Sequence, residues 1–336
     1  MVNKKTELGQ FFTVNPLWLK KHIKKFICDS DCHVIYDPFA GTGELLKAVA
    51  SLDDARYEMV GLDIDRSFGW KYNDSLQKIP CLEDAIIITN PPYLAKQSAS
   101  RKKIDLSQYF QNTMYDDVYL LALENMLKAQ KYVVAIIPES FISSSFKHKD
   151  LLYSITVLEE NPFLDTEKPV CVVCFDGKPK DLSEIKVYKN DQLVSNLGDV
   201  YKSRLVPTNK IAIKFNDLAG WLGLCAIDSS NDKNKIRFAL KEDLSYDWDK
   251  RIKVSSRHMT LINIDVPVHL RQEFVRILNN NIQEIRTLSA DLALTAFMGN
   301  TKSGIRRRRI DFRLVRAILE DAYTNLMHEK GLKNAA

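Results

Sequence analysis

Asn90-Pro91-Pro92-Tyr93 is the stretch of this 336-residue chain whose residue types point most directly to a reaction. Two consecutive prolines fix the backbone and remove two N–H donors, so nearby carbonyls are left facing outward as acceptors. An asparagine side-chain oxygen beside a prolyl carbonyl can accept both hydrogens of one amino group. The Tyr93 ring adds a face on which a planar base can stack. Such a set suits an aromatic amine, whose nitrogen lone pair is delocalised into its ring. Holding both N–H bonds favours a more pyramidal nitrogen and frees the lone pair to attack a methyl sulfonium. Taken alone, the tetrapeptide is also readable as a rigid turn.

A second constellation lies upstream. Asp37-Pro38-Phe39-Ala40-Gly41-Thr42-Gly43 follows an apolar run and opens an amphipathic segment. A glycine-rich turn there lets a ligand approach the backbone, and ligands of open α/β sheets bind outside the carboxyl ends of the strands. Asp63 ends the next apolar run, where a carboxylate can accept hydrogen bonds from two ribose hydroxyls. The plain alternative is a tight turn followed by a solvated aspartate.

The elements that must position these residues alternate short apolar runs with amphipathic segments, which predicts a doubly wound α/β sheet. Strands are expected at 34–36, 57–62, 85–89, 132–137 and 170–175, the last closing the sheet, with helices at 44–51 and 117–130. Asp37, Asp63 and Asn90 then all fall at strand ends. A break is expected at Gly177-Lys178-Pro179-Lys180, giving domains 1–176 and 177–336, with the boundary placed between 177 and 215. In the second part, 270–285 and 312–327 have helical spacing. The loop 298–305 leads into Arg306-Arg307-Arg308-Arg309, read as part of a loop before a helix. The second part is expected to be a smaller α+β domain.

Composition is that of an ordinary globular protein. The start of the chain is polar, and no apolar run reaches the roughly 18–20 residues of a bilayer span. The expectation is a cytoplasmic protein with no membrane partner. Cys171 and Cys174 have the CxxC spacing but sit in an apolar run without a second ligand pair, so they read as reduced core thiols and no metal is expected. The net charge of +5 is unevenly spread: residues 177–336 hold 28 basic and 19 acidic side chains, leaving the first 176 residues at −4. A basic second half fits a polyanionic partner, though a solvated charge run is the bland reading.

On these residues the chain resembles the amino methyltransferases of DNA, and among them the adenine-N6 group that places its S-adenosylmethionine (SAM) region first and its target-recognition region last. The resemblance covers roughly residues 7–176. Leu8-Gly9-Gln10-Phe11-Phe12-Thr13 is similar to that group's N-terminal motif, which implies that Thr13 contacts the carboxylate end of SAM. Residues 37–43 resemble the SAM loop, so Asp37, Ala40, Gly41 and Gly43 are implied for the methionine portion. Asp63 corresponds to the ribose acid, Ile64 to packing on the cofactor's adenine, and Asp74 in Asn73-Asp74-Ser75-Leu76 to the acid near its amino group. Asn90, Pro91, Pro92 and Tyr93 match the catalytic motif. Residues 135–141 resemble a structural motif around the active site. Phe163, in Asn161-Pro162-Phe163, is the candidate aromatic that stacks on a flipped base beside Tyr93; a core phenylalanine is its plain reading. The chain departs from the family where Thr13 is followed by Val14-Asn15-Pro16 instead of proline, and where Leu94-Ala95-Lys96 lacks the usual glycine.

The resemblance implies direct methyl transfer from SAM to adenine N6 in double-stranded DNA, with the base flipped out of the duplex, and with neither metal nor covalent enzyme intermediate. It further implies a monomer, accompanied by a restriction endonuclease acting on the same sequence without a stable complex. Arg306, Arg307, Arg308, Arg309, Arg313, Lys253 and Arg257 are the candidate DNA contacts, with Lys250, Arg251, Arg271 and Arg316 nearby. Related motifs also occur in enzymes acting on RNA or on a protein glutamine amide. A non-catalytic nucleic-acid-binding protein on the same fold is the alternative of a different class.

Overall fold

In the computed structural model, which describes residues 16–331 apart from 53–55, 112, 164–166, 232–234, 252 and 254–255, the apolar runs of the first half form the middle of one nine-stranded sheet. Its strands are β1 (Val34–Asp37), β2 (Glu58–Asp63), β3 (Lys71–Tyr72), β4 (Ala85–Thr89), β5 (Tyr132–Pro138), β6 (Leu152–Val157), β7 (Val170–Phe175), β8 (Lys186–Lys189) and β9 (Gln192–Asn196), in the order β3-β2-β1-β4-β5-β7-β6-β8-β9. The first five strands run parallel, β7 is antiparallel to both β5 and β6, and β9 is antiparallel to β8. Burial of β4 and β7 at every position explains their unbroken apolar sequences, since strands covered on both faces show no alternation. Helices of this unit include α1 (Lys21–Asp29), α2 (Glu44–Ala50), α3 (Lys96–Arg101), α4 (Ser107–Phe110) and α5 (Val118–Ala129).

From β1 the chain steps outward to β2 and β3, then returns to lay β4 against the other side of β1. That reversal of strand order is a topological switch point, which leaves a crevice beyond the carboxyl ends of β1 and β4.

The sheet does not close at β7 as expected. β7 is inserted between β5 and β6, and the β8–β9 hairpin continues the sheet to Asn196. β8 and β9 are only partly covered, so they carry no apolar run that would show them in the sequence. The chain divides into two compact units, Met1–Gly198 and Asp199–Ala336.

The second unit has a four-stranded antiparallel sheet in the order β10 (Ile213–Phe215), β13 (Met259–Ile264), β11 (Leu222–Cys225), β12 (Arg237–Leu240). Two long helices, α6 (Arg271–Leu288) and α7 (Phe312–Glu329), pack together and share its core through Leu222, Phe274, Leu278, Ile318 and Leu326. A separate two-stranded ribbon pairs β14 (Thr295–Asn300) with β15 (Arg306–Arg309). The four arginines are thus a strand, not a loop. Because side chains alternate across a strand, Arg306 and Arg308 are buried while Arg307 and Arg309 are partly exposed. No helix among the described residues is long and apolar enough to cross a membrane.

Asp228 fastens the ribbon into this unit. Its buried carboxylate accepts from Arg286 Nη1 and Nη2 at 2.9 and 3.0 Å, from the Ile236 N–H at 3.0 Å and from the Arg308 N–H at 3.1 Å. Burial opposes its charge, yet Arg286 and the two backbone donors hold the carboxyl below the usual carboxylate range. Removing one partner of such a pair strands the other, so Asp228→Ala should cost about 3–5 kcal/mol in chemical denaturation. A loss below about 1 kcal/mol would show that the network is not holding the unit together.

Candidate active site

At the switch point lies a cleft of about 1100 Å³ including its open mouth, walled by the loop after β1, the end of β2 and the start of the loop after β4. It brings together Asp37, Ala40, Gly41, Asp63, Ile64, Asp74, Asn90 and Pro92 from four separate stretches of sequence. Gly43, Pro91, Tyr93 and Phe163 stand outside its wall. Thr13 and the rest of its motif lie outside the described residues.

Three carboxylates divide the cleft. Asp37, at the end of β1, accepts through Oδ1 from the Phe39 N–H at 2.9 Å and from the Thr89 hydroxyl at 2.5 Å. Burial pushes its carboxyl up to about 7; the two hydrogen bonds oppose this, and neighbouring Asp63 adds to it. Asp63 accepts from the Gly41 N–H and the Asp65 N–H, each at 2.8 Å, so one acid pins the glycine turn to the end of β2. Gly41 turns at φ 50°. Asp74 accepts from the Leu76 N–H at 3.2 Å and from the Tyr109 hydroxyl at 2.9 Å. Between Asp63 and Asp74, Ile64 is 47% exposed, an apolar shelf inside the cleft. Acids flanking an apolar shelf, with one carboxyl buried at the opposite end, fit an amphipathic nucleoside carrying a cationic group.

Asn90 follows β4 directly. Its Oδ1 lies against the Tyr93 hydroxyl, which also lies 2.7 Å from the Ile136 carbonyl. The phenol has one proton and both partners are acceptors, so Tyr93 donates to one of them at a time and lies between the Asn90 side chain and the backbone of β5. Tyr93 is almost fully buried, and burial pushes its phenol well up. Its ring meets Tyr119 and Phe163 edge to face, with both centroids 6.4 Å away. Tyr93 and Phe163 are therefore neighbours, though neither ring faces the cleft.

Three residues of this region escaped the sequence reading. The Trp70 indole N–H donates to the Gly41 carbonyl at 2.9 Å, and its ring fills the space where a Cβ on Gly43 or Gly61 would lie. This places Gly43 as a packing glycine at φ 77°, not as part of the cleft wall. Tyr109 closes the Asp74 end, and burial together with Asp74 pushes its phenol up to about 12. Lys168 holds Nζ 4.9 Å from the centroid of the Tyr93 ring. Burial lowers the Lys168 ammonium, opposed by Asp117, whose own carboxyl is raised by burial. Trp70 and Lys168 sit in irregular stretches and Tyr109 in the four-residue α4, too short for a period to show, so only the residue type marks them there.

In the second unit, Arg306 and Arg308 are turned inward, whereas Lys253, Arg257 and Arg309 line one shared concavity. Arg313 is exposed on α7.

The Asp37 carboxyl sets a pH dependence. Because its folded-state value lies above the ordinary carboxylate value, the folded chain keeps this proton and loses stability as pH rises from about 4 to about 7. Asp37→Asn retains the oxygen that both donors use and carries no charge. It should therefore unfold at a higher temperature than the parent, the gain growing across that window by at most ~1.4 kcal/mol per pH unit and then levelling off. A gain independent of pH would refute the burial of an ionisable carboxyl there.

Residues 85–160 match the family model described as the Eco57I restriction-modification methylase. Among solved structures, the chain is similar to the type I restriction-modification methyltransferase subunit of Streptococcus thermophilus, at 16% identity and TM-score 0.40, covering 57% of this chain and 52% of that one. It is also similar to the type I restriction enzyme EcoKI M protein, at 13% identity and TM-score 0.37, over 96% of this chain and 74% of that one. A third likeness is to TrmN from Thermus thermophilus, at 14% identity and TM-score 0.31, over 46% and 48% of the two chains. The chain thus spans about half the length of two of these three proteins. No curated protein matches it. Over residues 85–160, the stretch that begins with β4 and carries Asn90 into the cleft, this chain matches the Eco57I restriction-modification methylases.

Proposed function

We propose that this chain transfers the methyl group of SAM to the N6 amino group of adenine in a specific duplex DNA sequence. The observation that carries the reading is that Asn90 opens into the same cleft as Asp37, Asp63 and Asp74. A site for an amine and a site for a nucleoside share one wall.

The cofactor, when bound, supplies an electrophilic methyl on a sulfonium. Ile64 would then pack against its adenine, with Asp74 accepting from the adenine's amino group. Asp63 has lone pairs left after holding Gly41 and Asp65, enough to accept from ribose hydroxyls. Asp37 and the turn at Ala40-Gly41 would face the methionine portion. Asn90 Oδ1 and the Pro91 carbonyl would accept the two hydrogens of the target amino group and aim its lone pair. The Tyr93 hydroxyl keeps the Asn90 amide from swinging. Stacking a flipped base on Tyr93 requires Lys168 to leave the face of that ring. The target base must leave the duplex, because its amino group is out of reach of a pocket while stacked. Lys253, Arg257, Arg309 and Arg313 would meet the DNA; Arg306 and Arg308, being buried, drop out of that role. The restriction-modification match supports a companion endonuclease acting on the same sequence.

Two measurements test this reading. Asn90→Ala should lower methyl transfer by about 10²–10⁴-fold while leaving SAM affinity by calorimetry nearly unchanged, since Asn90 only positions the amine. Parallel loss of transfer and cofactor binding would remove Asn90 from that role. SAM affinity should also fall as pH drops below about 7, by at most about tenfold per unit, because a cationic ligand prefers Asp37 ionised. An affinity flat from pH 5 to 8 would separate Asp37 from the cofactor.

A further inference from the structure

The β14–β15 ribbon presents a surface that the core of its unit does not explain. On the ribbon, Met298 of β14 is 59% exposed and Ile305, at the end of the closing turn, is 49% exposed, with Lys302 of that turn in water. The turn is closed by Thr301 N–H to the Ile305 carbonyl at 2.8 Å and Gly304 N–H to the Thr301 carbonyl at 3.0 Å. Gly304 takes φ 83° with nothing within 4 Å of a Cβ placed there. Two apolar side chains thus stand in water at and near the turn, whose Lys302 N–H donates to the Ser230 carbonyl at 3.0 Å.

The root of the ribbon is basic and aromatic. Arg307 lies 4.9 Å from the Phe297 ring centroid, and the same ring meets His258 edge to face at 6.1 Å. Beside it, Lys253, Arg257, His258 and Arg309 line a concavity of about 860 Å³ including its mouth, with Tyr246 at the side and Ile227 and Met259 also in the lining. No carboxylate lines it. Among the described residues, none of those four basic side chains forms an ion pair, although the unit pairs Arg286 and Arg316 with acids. Charges left unpaired around a concavity suit a polyanion whose counterions they displace.

We propose that the β14–β15 ribbon is the element that reads DNA sequence, its tip entering the major groove while the basic concavity at its root holds a backbone phosphate. This rests on duplex DNA being the substrate. The major groove, about 12 Å wide, admits a two-stranded ribbon. Met298 and Ile305 supply apolar contact of the kind that recognises a thymine methyl, and Lys302 a donor for the acceptor edge of guanine. Arg257 and Arg309 supply charge without sequence information.

The two roles separate in one experiment on the full chain: selection from random-sequence duplexes, with salt-dependent affinity measured alongside. The double variant Met298→Ser/Ile305→Ser changes only exposed side chains, and its thermal unfolding should match the parent's. It should retain the parent's affinity for random duplex and the parent's salt slope, but lose about tenfold in preference at one or two base positions. Arg257→Ala should do the reverse, weakening all sequences alike and lowering the salt slope by about 1 with preference kept. A selected sequence unchanged in the tip variant, or a parent that binds duplex with no preference, overturns the ribbon's role while leaving DNA as substrate. A parent that prefers single-stranded RNA or ignores duplex altogether overturns the substrate reading itself.

Discussion

Thr89 and Asp37 sit at the ends of neighbouring parallel strands, and the hydroxyl of one donates to the carboxyl of the other. Each is followed at once by half of the site: Asp37 by the glycine turn, Thr89 by Asn90. This bond fixes the span between the glycine turn and Asn90. It also explains why a carboxyl is tolerated there with burial working against its charge. Asp63 repeats the device one strand further out by holding Gly41, and on the other side the Tyr93 hydroxyl lies between Asn90 and the Ile136 carbonyl of β5. The cleft is built from polar side chains that tie strand ends together, over a sheet whose central strands are largely apolar.

Strand ends were the most legible feature of the sequence. β1, β4 and β5 are covered on both faces for most of their length and β2 over its last three residues, so they show as apolar runs, and the acids and the asparagine stand out where the runs stop. β6 was hidden because Ser154 and Thr156 look like a polar face yet are buried. β8 and β9 were hidden for the opposite reason, as a half-wet edge hairpin. The four arginines misled because charge density in sequence says nothing of alternation. Once paired with β14, every second arginine must point inward, and the Asp228 network is the polar setting that receives the strand.

Residues that act at a distance along the chain were not legible at all. Trp70 shapes the glycine turn through a ring that neither Gly43 nor Gly61 could accommodate with a Cβ, and nothing in its local sequence marks it. Tyr109 reaches the site from the one-turn α4 and Lys168 from an irregular segment, both too short for a period to show. Lys168 matters for the account because its ammonium lies over the ring on which a base is proposed to stack. Access to that face is therefore a step of its own, separate from cofactor binding.

The central claim is that Asn90 and the three acids form one site for methylating an exocyclic amine of DNA. Its most direct test is to incubate the full chain with SAM and unmethylated genomic DNA, digest the DNA to nucleosides and identify the product by mass spectrometry. The account predicts N6-methyladenine and no methylated cytosine. Unmodified DNA, alongside methyl incorporated into RNA or protein under the same conditions, would contradict it.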